Sequence, residues 1–223
     1  MRVCSIILCL FTATAALAQT PPSASDIASY SGLHKAAHDN DVTEIDRLAK
    51  TGTDLNSRDG HGRTPAHVAA FASNDAALRA LATAGADMNA LENGLYDVVT
   101  IAAVANDPAL VSLAIDLGNR ADLTTSVYDG SALIAAAHLG HHEVVRRLIA
   151  GGAPLDHVNN LGWTALIEAV VLGDGGPEHV ATVKALVESG ADATIADRSG
   201  VTPLSHAKSR GFTEIEDIIR GAK

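Results

Sequence analysis

At 223 residues the chain can build one sizeable core or a row of stacked units. Hydrophobic residues make up 47% of it but aromatics only 3%. Small aliphatic side chains must therefore fill the interior, which suits closely packed helices better than a sandwich or barrel rich in aromatic and β-branched residues. The formal charge of −10 argues against nucleic acid and anionic lipid as partners, because an acidic surface repels both.

The chain opens with Met1-Arg2, a nearly uninterrupted apolar run from Val3 to Ala15, and the small-residue stretch Ala16-Leu17-Ala18. This order predicts a signal peptide over 1–18, cut after Ala18 to leave Gln19 as the new N-terminus. The run falls short of the roughly 20 apolar residues that span a bilayer. Export to the periplasm of a Gram-negative host, or secretion, follows as the expected localisation, with no membrane insertion after cleavage. Cys4 and Cys9 both lie in this leader, so the remainder has no thiol, no disulfide and no cysteine nucleophile. Residues 19–26, with Pro21 and Pro22, read as a flexible lead-in.

From residue 27 onward the sequence repeats itself. A first copy centres on Leu33-His34-Lys35-Ala36-Ala37 and lacks a full hairpin. The second runs from Asp59-Gly60-His61-Gly62-Arg63-Thr64-Pro65-Ala66-His67 to Gly85-Ala86-Asp87. The third is irregular: Tyr96-Asp97-Val98-Val99 opens its first helix, Asn106-Asp107-Pro108 forms its turn, and extra residues follow Gly118. The fourth carries Ala135-Ala136-Ala137, Gly140-His141 and Val144-Val145. In the fifth, Gly162-Trp163-Thr164-Ala165-Leu166 leads to Gly190-Ala191-Asp192, and the segment from Leu172 to His179 lengthens the turn between helices by about five residues relative to the common period. The last opens on Gly200-Val201-Thr202-Pro203-Leu204 and ends in charged residues around Ile218-Ile219, as a solvated cap would.

Each residue type has a local task. Thr64 and Thr202 are predicted hydroxyl caps, with Pro65 and Pro203 at the first helical position. Paired alanines let helices approach closely. Gly85 and Gly190 end second helices in a left-handed conformation. Leu78 with Leu81, and Val144, Val145 and Leu148, form apolar stripes that one unit alone cannot bury.

These motifs resemble ankyrin repeats over essentially the whole chain beyond the leader. The resemblance implies an all-α solenoid of helix-turn-helix pairs joined by β-hairpin-like loops, in about six copies: 27–57, 58–90, 91–123, 124–157, 158–195 and 196–223. It also implies that His34, His67 and His141 hydrogen-bond the backbone of adjoining turns. It further implies protein recognition through the hairpin tips and the exposed side of the first helices. Carried over by position, that surface comprises His61, Arg63, Glu92, Asn93, Leu95, Tyr128, Asn160, Leu161, Trp163 and Arg198 at tips, with Phe71 and His138 on first helices. The expected product is a monomeric scaffold that binds a protein partner.

Chemistry finds little support. All ten histidines lie outside the leader. His34 with His38, and the cluster His138, His141 and His142, invite comparison with metal sites, but a tight site needs a third or fourth ligand. No Gly-x-Ser-x-Gly elbow or phosphate loop is present, and Asp174 with Glu178 is too few ligands for a calcium loop. The expectation is a non-catalytic protein with no cofactor and no metal. A small-ligand or metal site at His138, His142, Trp163, Asp174 and His179, and a secreted effector, are the alternatives.

Overall fold

A computed structural model describes residues 19–222. Among these residues the secondary structure is helical throughout, with no strand. A short α1 (Ala24–Ser29) precedes six antiparallel pairs: α2 (Gly32–His38) with α3 (Val42–Lys50), α4 (Pro65–Phe71) with α5 (Asp75–Ala84), α6 (Val98–Val104) with α7 (Pro108–Asp116), α8 (Ala132–His138) with α9 (His142–Ala150), α10 (Ala165–Val171) with α11 (Pro177–Glu188), and α12 (Pro203–Arg210) with α13 (Thr213–Arg220). The first helices of successive pairs pack in a row, α2 to α12, and the second helices in a parallel row, α3 to α13. This is the predicted solenoid.

Local chemistry explains the pairs. Thr164 and Thr202 accept hydrogen bonds from the third residue of their helices, and Pro65 and Pro203 take the first helical positions. The turn inside each regular pair needs one left-handed residue. Gly140 and Gly211 fill it in the fourth and sixth pairs, and Asn40, Ser73 and Asn106 in the first three. Asn106-Asp107 in the third pair is thus a chemical equivalent of Gly-His, with Asp107 capping α7 through Leu110 N–H. Ala36-Ala37, Ala69-Ala70, Ala102-Ala103 and Ala136-Ala137 are buried between neighbouring first helices, where a larger side chain would force the row apart. Leu78, Leu81, Val144, Val145 and Leu148 are fully buried in the second-helix row, as their spacing predicts.

The leader, 1–18, with its proposed cleavage point, lies outside the described residues. The lead-in does not stay irregular to residue 26. Ser23 and Asp26 form a reciprocal capping box that starts α1 at Ala24. The irregular end of the third repeat is held by a buried polar cluster. Asp97 caps α6 by accepting from the backbone and hydroxyl of Thr100, and its other oxygen accepts from Asn119 Nδ2 at 2.8 Å. Asn119 in turn accepts from Val99 N–H, and the Thr100 hydroxyl meets that of Thr125.

Candidate interaction surface

The tips of the second, fifth and sixth repeats each fold around one carboxylate or amide that accepts two backbone N–H groups: Asp59 from His61 and Arg63, Asn159 from Leu161 and Trp163, Asp197 from Ser199 and Val201. In the fourth the Ser126 hydroxyl accepts from Tyr128 and Gly130. Neighbouring tips then bond to each other. Asn93 N–H donates to His61 carbonyl at 3.1 Å and Asn160 N–H to Tyr128 carbonyl at 2.9 Å. Arg58 donates to Leu91 carbonyl and Arg198 to Asn160 carbonyl. The histidines act as the resemblance implies: His34 Nε2 reaches Arg63 carbonyl, His67 Nε2 reaches Tyr96 carbonyl, and His141 Nδ1 reaches Ala103 carbonyl. Burial pushes the His67 imidazole below its ordinary pKa, despite the opposing bond to Tyr96.

One residue at each tip is left-handed. Gly62, Gly162 and Gly200 fill this place in the second, fifth and sixth repeats, but Leu95 (φ 66°) fills it in the third and Asp129 (φ 54°) in the fourth. Gly94, the glycine that the sequence offers, sits one position too early. A leucine held left-handed costs about 1–2 kcal/mol, and Leu95 is nonetheless 42% exposed.

The most exposed large hydrophobic side chains among the described residues are Leu95, Val127, Tyr128, Leu139, Val158, Leu161 and Leu172. All fall between residues 95 and 172, in the third to fifth repeats. Five belong to hairpins. Leu139 and Leu172 cap the C-terminal ends of α8 and α10, at the other edge of the first-helix row. No helix among the described residues is long and apolar enough to cross a membrane.

The comparisons with known proteins agree with this geometry. Profiles described as "Ankyrin repeats (3 copies)" and "Ankyrin repeats (many copies)" match residues 99–197 and 33–81. The ankyrin repeat protein YahD of Escherichia coli (strain K12) is 34% identical over 189 residues, covering 84% of this chain and 93% of YahD. The chain belongs to the ankyrin-repeat family. An ankyrin repeat domain from Acinetobacter baumannii superposes with a TM-score of 0.80 at 40% identity, covering 85% of this chain and 96% of its own. The ankyrin repeat protein EF0377 gives 0.79 at 31% identity, covering 87% and 100%. Ankyrin repeats generally mediate protein–protein interaction.

Against the ankyrin surface expected from sequence, His61, Asn93, Leu95, Tyr128, Asn160, Leu161 and Arg198 are exposed, and Phe71, Glu92, His138 and Trp163 are half-buried. Arg63 is a correction. It is 1% exposed, because its guanidinium turns inward to Asp59 (2.7 Å) and Asp26 (3.0 Å) and its Nη1 reaches Thr20 carbonyl. Tyr30 hydroxyl donates to the same Asp59. Hydrogen bonds from Ser23 and Arg63 hold the Asp26 carboxyl at about 2. Burial alone would raise Asp59, but the backbone and side chain of Arg63 keep it below the ordinary value. Arg63 therefore locks α1 onto the second repeat.

The residues of the ligand alternative do not converge. His138 faces Glu168, His142 pairs with Glu178 at 2.7 Å, and His179 with Asp174 at 2.9 Å. Among the described residues no group of three histidine, cysteine, aspartate or glutamate side chains is placed to hold a metal ion. The lengthened turn of the fifth repeat is instead a clasp. His179 Nε2 donates to His138 carbonyl in the fourth repeat. From the sixth, Arg210 donates to the carbonyls of Val171 and Gly173 while stacking on Phe212, whose ring lies where a Cβ on Gly175 would be. Sequence reasoning missed Glu168. A single glutamate on a short helix carries no pattern that marks it as buried.

Proposed function

We propose that the chain is an exported, non-catalytic scaffold whose partner is a protein docked over the tips and first-helix face of the third to fifth repeats. The concentration of five of the seven most exposed large hydrophobics on the tips of that stretch carries the reading, because apolar patches of this kind mark interaction sites. The strained, exposed Leu95 supports it, because strain of this kind persists where function requires it. The tip aromatics and Arg198 are of the types that anchor interfaces, and the tip-to-tip bonds present them in fixed positions. The leader-like N-terminus supports a partner in the periplasm or outside the cell.

The test compares the protein with Leu95→Ser/Leu161→Ser and with Trp163→Ala in crosslinking and capture from envelope fractions. The expected outcome is one protein species captured by the parent chain and lost from the double variant, whose melting temperature stays unchanged. Equal capture by both would reject the surface. N-terminal sequencing of the protein from that fraction should begin at Gln19; a retained Met1 would reject export by cleavage.

A further inference from the structure

Glu168 lies on α10 in the register that Val68 fills in the second repeat, Ile101 in the third and Ala135 in the fourth. It is only 3% exposed. Its Oε1 accepts from Asn159 Nδ2 at 2.9 Å. Its Oε2 is buried and accepts no hydrogen bond, though His138 Nδ1 stands 3.4 Å away. A carboxylate removed from water with one oxygen unmet is costly, and the stack has no need of charge in this register, as Val68 and Ile101 show.

Two neighbours make room for that charge. The tip residue before Glu168 is Asn159, where the second and sixth repeats have Asp59 and Asp197. An aspartate there would face Glu168 with a second carboxylate. Asparagine keeps the acceptor needed by Leu161 and Trp163 N–H and adds a donor for Glu168. In the sixth repeat the matching pair is closed, with His206 Nε2 at 2.8 Å from Asp197. In the fifth, Asn159 satisfies Oε1 alone, and Oε2 is left with only the His138 ring nearby. In the same register of the neighbouring repeat, the small side chain of Ala135 is partly exposed, and His138, one turn further along α8, is half-exposed.

We propose that Glu168 is the receptor for an arginine side chain of the protein partner, which enters over Ala135, displaces His138 and bonds to Oε2. A guanidinium suits this place because it is planar, weakly hydrated and able to donate two bonds to one carboxylate. The proposal rests on the protein-binding reading above and names the chemistry of one anchor within it.

The probe is N-acetyl-arginine amide, titrated onto the intact protein and followed by NMR at Ala135, His138 and Glu168, with the uncharged N-acetyl-citrulline amide as control. Saturable shifts are expected with the arginine derivative alone. Glu168→Gln should weaken them roughly tenfold or more. The same variant should melt at or above the parent temperature, because a glutamine amide can accept from Asn159 and donate to His138 Nδ1. An equal response to citrulline, no response to arginine, or an unchanged response in Glu168→Gln would overturn the assignment. So would a large fall in melting temperature, which would mark Glu168 as structural. None of these outcomes touches the Leu95 and Leu161 capture test, so the two readings fail separately.

Discussion

Leu95 and Arg63 show how a tip residue is decided by its backbone and its distant neighbours. Replacing Leu95 with glycine removes the left-handed strain that the glycine-bearing tips avoid, and should stabilise the fold by up to about 1 kcal/mol while weakening partner capture; denaturant midpoints and crosslinking yield measure the two effects. Arg63 behaves oppositely. Arg63→Ala strands Asp59 and Asp26, and should cost about 3 kcal/mol or more in the unfolding of the first two repeats. The Asp26 carboxyl, depressed to about 2 from an ordinary 3.8, stabilises the docked α1 fully above pH 4. That contribution is lost as pH falls from there toward 2. Amide exchange in α1 should therefore accelerate over that interval, and Asp26→Asn should show fast exchange already at neutral pH. The burial of Arg63 was not legible in the sequence. Arg63 reads as a solvated tip residue until Asp26, 37 positions earlier, is known to fold back onto it, and Glu168 has the same difficulty.

The helices themselves were legible, because Thr-Pro starts, alanine pairs and glycine ends act within a few residues of each other. Where the pattern broke, the sequence marked the place but not the remedy. The cluster around Asp97, Asn119 and Thr125 bonds residues that are 20 to 25 positions apart, and only packing brings them together. The fifth-repeat extension likewise read as a lengthened turn that could help form a ligand site, and is a clasp between three repeats. Its glycines are not interchangeable. A Cβ on Gly173 would collide with Ala169 carbonyl and the His179 ring, whereas one on Gly60 meets nothing. Gly173→Ala should lower the melting temperature and speed amide exchange at the start of α11, and Gly60→Ala should leave both unchanged.

At the scale of the molecule, every helix row is held by its immediate neighbours, so stability propagates along the stack. Val145 is fully buried in α9, between α7 and α11. Val145→Asp places an unpaired charge at the centre of the row and should unfold much of the array, seen as loss of helical circular dichroism well beyond one repeat. A mild, local effect would contradict the stacking register.

The bonds that link His61 to Asn93, and Tyr128 to Asn160, carry a thermodynamic consequence. Loops already fixed to one another lose little freedom when a second protein arrives. Calorimetry of the complex should therefore give a heat-capacity change set by rigid-body burial of apolar area alone, without the surplus that accompanies segments folding as they bind.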